Sequence, residues 1–161
     1  MNRSRQAGTT TVEFAIIGLL AMVVLLGLLE FSRLVFELNA LNEATRRGAR
    51  MAVVCPINDP AIAQVAVFNA PGGGGGGASP IVTGLTTGNV AVDYLNETGG
   101  TIAGAQANFL QIRYVRVRMT NLQHTLLIPL FNLTIPLAAY PTTLPRESLG
   151  IPRIGAGPLP C

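Results

Sequence analysis

The first third of the chain changes from an uninterrupted apolar run to a helical periodicity. Residues 14–29, FAIIGLLAMVVLLGLL, carry no charge. As a helix they cover roughly 24 Å, somewhat less than a hydrocarbon core of about 30 Å. After this run, apolar residues recur close to a 3.6-residue period until Pro56 stops the helix. We therefore predict one helix over 9–54, with a membrane-spanning part at about 14–36 and an amphipathic second half that a domain must cover on one side.

Acidic and basic residues alternate along the second half of this helix. Three pairs stand three or four residues apart, a spacing at which side chains meet on one face: Glu30 with Arg33, Arg33 with Glu37, and Glu43 with Arg47. The pair of Glu30 and Arg33 lies at the outer end of the apolar run. It is either a structural pair or a contact with another component, and the sequence leaves both interpretations open.

Short segments after the helix predict a small domain over 55–161. One segment is typical of a short helix, with Asp59 as its cap and Pro60 in its first turn. The predicted elements are this helix at 59–70, two strands at 89–95 and 108–120, and a proline-containing edge strand at 132–144. An apolar segment at 125–131 is ambiguous. A glycine-rich loop at 71–80 and a Pro/Gly-rich tail at 150–161 complete the domain. The alternation changes phase within 108–120, which indicates a bulge or a strand covered on both faces. The fold class is therefore α+β, with a long N-terminal helix packed on a small antiparallel sheet.

Length and charge narrow the classes of function. The chain has 161 residues, enough for one modest domain beside a membrane segment, with 12% charged residues and a net charge of +3. Its basic residues are all arginine. The most basic segment, RYVRVR at 113–118, lacks the extended basic face interleaved with aromatic residues that nucleic acids require. We therefore expect these arginines to face solvent and no nucleic acid to bind.

Residues with catalytic or metal-binding chemistry are few and scattered. His124 is the only histidine, and we expect it to be solvated or structural, in a connection after a strand. Asp93 and Glu97 lie near a strand end with no predicted partner, and the G-x-G-x-x-G match at 72–77 follows no strand and opens no long helix. No spacing typical of a nucleophile with its base or of a metal site occurs. The sequence therefore predicts no enzyme, no cofactor and no metal.

Two arginines before the apolar run predict the orientation of the chain. Arg3 and Arg5 have no acidic residue to offset them, so the positive-inside rule places the N-terminus in the cytoplasm and the domain outside. No small-x-small cleavage site follows the run, so we expect the segment to be retained. Cys55 and Cys161 then lie on the oxidising side, which favours a disulfide between them over free thiols or a link from Cys161 to another subunit.

Gly8, three threonines and Glu13 precede the apolar run in a specific order. Glu13 is the fifth residue after Gly8, and a short basic leader lies before the glycine. This pattern resembles the type III signal of type IV pilins and pseudopilins, which a prepilin peptidase cuts. Carried over by position, the cut falls between Gly8 and Thr9 and leaves 1–8 as a cytoplasmic leader.

Three further motifs make the first third of the chain similar to the TadE-like family of the tight-adherence (Flp/Tad) pilus apparatus. They are VEFA, EFSR and A-x-R-x-GAR, at Val12–Ala15, Glu30–Arg33 and Ala44–Arg50. The resemblance implies a pilin-like fold and a minor pilin or pseudopilin that initiates, anchors or tips a Tad pilus for surface adhesion. It implies a place in the bacterial inner membrane with the domain in the periplasm. The implied partners are the prepilin peptidase, a TadF-type pseudopilin, the major pilin, the inner-membrane pilus platform and membrane lipid.

The resemblance also gives Glu13 a role. In pilin-like assemblies this carboxylate pairs with the new α-amino group of a neighbouring subunit, which would otherwise be a costly charge in apolar surroundings. Without the resemblance, Glu13 would be an ordinary glutamate near the membrane boundary. Two alternatives to the Tad function remain, a pseudopilin of a related secretion machine and a single-pass anchor for a periplasmic binding domain. The plain anchor predicts no cut after Gly8.

Overall fold

One long helix, α1 (Ser4–Val54), leads into a small domain in the computed structural model. The structure describes residues 4–72, 76–127, 133–137, 140–151 and 161, with side chains from residue 9 onward. The 51 residues of α1 correspond to a length of about 76 Å. The helix begins five residues before the predicted start and ends where predicted. After its end, the Cys55 N–H still donates to the Met51 carbonyl, and Pro56 cannot continue the ladder.

The two halves of α1 differ in burial as their sequences predict. The most apolar 18-residue window has a mean hydropathy of 2.7 and none of it is buried against the rest of the protein. In the second half, buried positions recur at helical spacing, at residues 41, 44, 45, 48, 49, 52 and 53. This stripe is the face that the domain covers.

A short helix, α2 (Pro60–Ala66), packs against that stripe. Asp59 caps it, since its Oδ1 accepts a hydrogen bond of 2.8 Å from the Ala61 N–H. The sequence prediction continued this helix to residue 70, which is wrong by four residues. Phe68 has a φ of 68°, a left-handed conformation that a helix cannot continue through.

The strands form antiparallel sheets. Among the described residues, β1 (Val90–Leu95), β2 (Tyr114–Met119) and β5 (Thr142–Pro145) form one sheet in the order β1-β2-β5, while β3 (Gln123–Thr125) pairs with β4 (Thr134–Pro136) in a separate hairpin. The long helix packed on small antiparallel sheets confirms the predicted α+β fold class.

Three details of the predicted strands are wrong. The strand predicted at 108–120 begins only at Tyr114, because residues 109–111 form a 3₁₀ turn, and within β2 the burial alternates without a bulge. The edge strand predicted at 132–144 is two strands, β4 and β5, which belong to different sheets. Of the ambiguous segment 125–131, only Thr125 lies in a strand among the residues described. Parts of the glycine-rich loop and of the tail, 73–75 and 152–160, lie outside the described residues.

The core lies between α1 and the three-stranded sheet. Toward the end of α1, small side chains such as Ala49 and Ala52 meet the buried face of β2, including Val115 and Val117. Closer to the apolar half of α1, Leu41 and Ala44 pack with Met119 and the end of α2. Gly48 lies between these two regions. A Cβ at Gly48 would come within 2.9 Å of Ala66 Cβ and 3.1 Å of Val117 Cγ1, so glycine here permits the close approach of α1, α2 and β2.

The chain after β5 returns to the end of α1 and satisfies its last carbonyl groups. The N–H groups of Glu147 and Leu149 both donate to the Val53 carbonyl, and the Gly150 N–H donates to the Val54 carbonyl at 2.6 Å. Gly150 has a φ of 79°, and a Cβ there would lie 2.6 Å from Pro56 Cγ. Position 150 therefore requires glycine both for its conformation and for its contact.

Candidate membrane and assembly site

The predicted processing and assembly residues lie along the first turns of α1. Gly8 and Thr9 are within the helix, and Glu13 is exposed one turn after Thr9. Large apolar side chains from Val12 to Leu29 stay more than 40% exposed along this half, for example Phe14 at 78%. Within the part of the chain that the structure describes, α1 is the one helix long and apolar enough to cross a membrane. A continuous exposed apolar surface of this length is not found on ordinary soluble domains.

The second predicted pair, Glu30 and Arg33, lies at the other end of the apolar run, about 26 Å from Glu13 along the helix axis. Arg33 Nη1 and Glu30 Oε1 are 2.9 Å apart, as their spacing predicts. The same guanidinium places Nη2 at 3.6 Å from Glu37 Oε1, and the predicted pair of Glu43 and Arg47 also forms, at 3.0 Å.

The structure adds His124 to this pair. His124 lies in β3 and is 1% exposed. Its Nδ1 is 2.7 Å from Glu37 Oε2, and its Nε2 is 3.2 Å from Glu30 Oε1. We refer to Glu30, Arg33, Glu37 and His124 as the boundary cluster. The Leu127 backbone N–H also donates to Glu30 Oε1, at 3.2 Å. Glu30 is consequently 4% exposed although it carries a carboxylate next to an apolar run.

The boundary cluster joins two elements through hydrogen bonds. Both ring nitrogens of His124 face carboxylate oxygens on α1, one of Glu37 and one of Glu30. Every buried polar side-chain atom in the described residues has a hydrogen-bond partner. The cluster can therefore join the β3–β4 hairpin to α1 without leaving a buried polar side chain of these residues unpaired.

Sequence reasoning missed the roles of His124 and, in part, of Glu37. His124 was expected in a connection and was expected to be solvated or structural, whereas it lies in a strand and is buried. A signal did exist, because Glu30 and Glu37 are seven residues apart and therefore share one face of α1. Two carboxylates on a face that a domain covers require partners, and Arg33 is the one partner that their spacing along α1 predicts for both.

A second ion-pair group lies on the exposed face of the sheet. Antiparallel pairing places Asp93 opposite Arg116, and Asp93 Oδ2 accepts hydrogen bonds from Arg116 at 3.0 Å and Arg118 at 2.9 Å. The expectation that Asp93 has no partner is thus wrong, because the cross-strand partners are distant in sequence. Burial raises the pKa of the Asp93 carboxyl, but hydrogen bonds and charge from Arg118 and Arg116 outweigh this and hold that pKa below its usual range.

A disulfide joins Cys55 to Cys161, the pairing that the sequence favours. Cys55 is fully buried at the end of α1, and the two Cα atoms are 5.7 Å apart. The Cys161 N–H also donates to Asp59 Oδ2 at 3.3 Å, so the carboxylate that caps α2 contacts the last residue of the sequence too. Cys161 is therefore held by a covalent contact at the end of α1 and by a polar contact at the start of α2.

The described residues contain no group of three or more His, Cys, Asp or Glu side chains arranged to hold a metal ion. The arrangement at the boundary cluster is that of a structural network of ion pairs and hydrogen bonds, and the exposed apolar half of α1 is long and apolar enough to cross a membrane.

Comparison with known proteins concerns α1. The family model of TadE-like protein matches residues 8–50. Searches of curated proteins and of solved structures found no match. The matched segment begins at Gly8 and includes Glu13, Glu30 and Arg33, and it ends four residues before α1 does. The resemblance seen in the sequence motifs is thus confirmed for the long helix.

Proposed function

We propose that this protein is a minor pilin or pseudopilin that takes part, without catalysis, in assembling a Tad-type pilus for surface adhesion. One observation carries the proposal. The segment that matches TadE-like protein coincides with a helix whose first half is apolar and exposed. An assembly protein needs such a helix twice, first as a membrane anchor and then as a surface that packs against the helices of other subunits.

The proposed arrangement places the protein in the bacterial inner membrane. The N-terminus with Arg3 and Arg5 is cytoplasmic, α1 crosses the bilayer over about 14–36, and the domain at 55–161 is periplasmic. The disulfide supports this orientation, because such bonds persist in the periplasm and are rare in the cytoplasm.

Processing between Gly8 and Thr9 by a prepilin peptidase is part of this proposal. The cut removes Arg3 and Arg5, so the formal net charge of +3 falls to +1. The new ammonium group of Thr9 would start a helix in which Glu13 lies one turn further on. A carboxylate in the first turn is favourable in its own helix and provides the opposite charge for the ammonium group of a neighbouring subunit. The expected neighbours are a TadF-type pseudopilin, the major pilin and the inner-membrane platform.

Mass spectrometry of the membrane-extracted protein tests processing directly. In cells with active prepilin peptidase we expect a mature protein that begins at Thr9. Gly8→Arg should accumulate the full-length precursor, because a bulky charged residue cannot occupy the small site next to the cut bond. Gln6→Arg is the matched control, since it adds the same charge to the leader and leaves the glycine in place. An intact Met1 in the unmodified protein would support the alternative of a plain membrane anchor and refute the assignment as a pilin.

Glu13→Ala tests the assembly role separately from processing. Glu13 is exposed in the structure, so its removal should leave the domain folded while pilus formation and partner pull-down decline. Glu43→Ala is the matched control, because Glu43 is also exposed on α1 and pairs with Arg47 within the same helix. Equal piliation in both variants would reject a special role for Glu13. A protein that is processed but supports secretion and no pilus would instead indicate a pseudopilin of a related secretion machine.

A further inference from the structure

We propose that the β3–β4 hairpin is a second membrane-contacting element, whose exposed leucines, Leu127 and Leu133, lie in the outer part of the bilayer that α1 crosses. The occupant of this surface is the lipid acyl region. This inference rests on the proposed membrane anchoring by α1 and goes beyond it, because it assigns a lipid contact to the domain itself.

The hairpin points toward the apolar half of α1. At the end of β2, Met119 packs near Leu41. Further along the chain, His124 contacts Glu37 and Glu30, and the Leu127 N–H reaches Glu30. The contacts on α1 thus move from residue 41 to residue 30, about 16 Å along the axis toward the apolar run. On the return strand, the Leu137 N–H donates to the Leu122 carbonyl, and its side chain packs again near Leu41.

The described part of the hairpin reaches the charge-free part of α1. Leu126 and Ile135 line a cleft of about 230 Å³ together with side chains of α1, and Gly27 forms part of the same cleft. Leu127 is 66% exposed and Leu133 is 56% exposed, values that match those of Leu28 and Leu29 on the helix, 59% and 54%. Leu127 lies beside the apolar half of α1, because its N–H donates to Glu30, and Leu133 lies next to it, because its carbonyl accepts from the Leu126 N–H. This proximity to the apolar run identifies lipid, which would cover the exposed side of α1, as the occupant.

Two backbone N–H groups in the described part of the hairpin have partners within the protein, which suits contact with lipid. Backbone donors in a bilayer must have partners within the protein, because no water is available to them. The Leu126 N–H donates to the Leu133 carbonyl at 3.3 Å, and the Leu127 N–H donates to Glu30 at 3.2 Å. In return, the hairpin covers the Glu30 carboxylate, which would be costly if it faced acyl chains.

Tryptophan scanning tests this placement, because the chain contains no tryptophan. Leu127→Trp and Leu133→Trp, each made separately, would be reconstituted as the full chain in vesicles with or without brominated acyl chains, which quench tryptophan only on contact. Leu110→Trp is the matched control, since Leu110 is an 80% exposed leucine whose neighbour Phe109 packs at the other end of α1, in the core cluster with Val53. Val24→Trp reports on the membrane anchor itself, because Val24 is 61% exposed in the middle of the apolar run.

We expect brominated lipid to remove most of the emission at positions 24, 127 and 133 and little at 110, with a blue-shifted maximum at 127 and 133 relative to 110. If brominated lipid quenches position 24 but positions 127 and 133 emit like position 110, the hairpin proposal is overturned and the membrane anchor is left intact. A blue shift at 127 and 133 without lipid quenching would also overturn it, in favour of a contact with another protein copy. Absence of quenching at position 24 would overturn the membrane anchor and this inference with it.

Discussion

Removing the imidazole of His124 should release the β3–β4 hairpin from α1. The variant His124→Leu keeps a side chain of similar size in the buried position but removes both contacts to carboxylates. Hydrogen bonds to charged groups contribute ~1.5–3 kcal/mol each, and removing one partner of a buried ion pair costs ~3–5 kcal/mol. The cost should be below the top of this range, because the Glu37 side chain is 13% exposed and both carboxylates keep their ion pair with Arg33. We therefore expect a loss of ~2–4 kcal/mol in the free energy of opening the hairpin.

Hydrogen exchange resolved to single amides measures this opening. The Leu127 N–H, which donates to Glu30, and the Leu137 N–H, which donates to Leu122, should lose protection in His124→Leu. The amide of Val117, in the central strand of the larger sheet, should change much less, because the core between α1 and β2 does not depend on the histidine. His124→Gln is the control, since it retains a donor and should lose less. A change below about 0.5 kcal/mol at both hairpin amides, the range of ordinary surface substitutions, would refute the reasoning.

Three further predictions concern the domain. Gly48→Ala should lower the free energy of unfolding by ~1 kcal/mol in denaturant titration, because crowding against α2 and β2 exceeds the gain in helix propensity. Gly18→Ala is the control and should show no such loss, because nothing lies within 4 Å of the added Cβ. Asp93→Asn should cost ~0.5–1 kcal/mol at neutral pH. Because the folded-state pKa of Asp93 is lowered, its stabilisation is present above the unfolded-state pKa and is lost as pH falls through the folded-state pKa, so unfolding curves of the two proteins should converge in acid. Replacing Cys55 and Cys161 together by serine should lower the free energy of unfolding by up to ~4–5 kcal/mol, the chain-entropy value for a loop of this length. Thermal unfolding of the unmodified protein in its oxidised and reduced forms should show the same difference.

The long helix could be predicted from the sequence because its signals are local. The apolar run, the 3.6-residue period and Pro56 each act within a few residues, and together they define α1 to within five residues at its start and none at its end. The ion pairs along α1 are equally local, which explains why all three predicted pairs form.

The hairpin and the edge strand could not be predicted in the same way. β3, β4 and β5 have three or four residues each, too few for an alternation to stand out, and β4 and β5 differ in their sheet although few residues separate them. The sheet that each of these strands joins is decided only by its pairing with another strand. Thr142 of β5 faces Val117 of β2, whereas Ile135 of β4 faces His124.

The candidate site shows the same division between local and distant information. The spacing of Glu30 and Arg33 along α1 is enough to pair them, but His124, which also contacts Glu30, is 94 positions away in the sequence. Asp93 gains its arginines only through the register of β1 with β2. A pattern along one element thus identifies which residues need partners, and the tertiary fold determines which residues supply them.

The boundary cluster also explains how a charged helix segment can belong to the proposed membrane span. The charge-free run ends at Leu29 and covers only roughly 24 Å, short of a hydrocarbon core of about 30 Å. The next two turns of α1 have two different sides. One side is apolar and exposed, with Phe31 at 64% and Phe36 at 55%, while the other carries Glu30 beneath the hairpin. With Glu30 covered by the hairpin, the apolar surface continues to Phe36 and reaches roughly 34 Å over 14–36, enough to cross the core. In the proposed placement, the helix and the hairpin therefore complete the membrane-facing surface together, and neither does so alone.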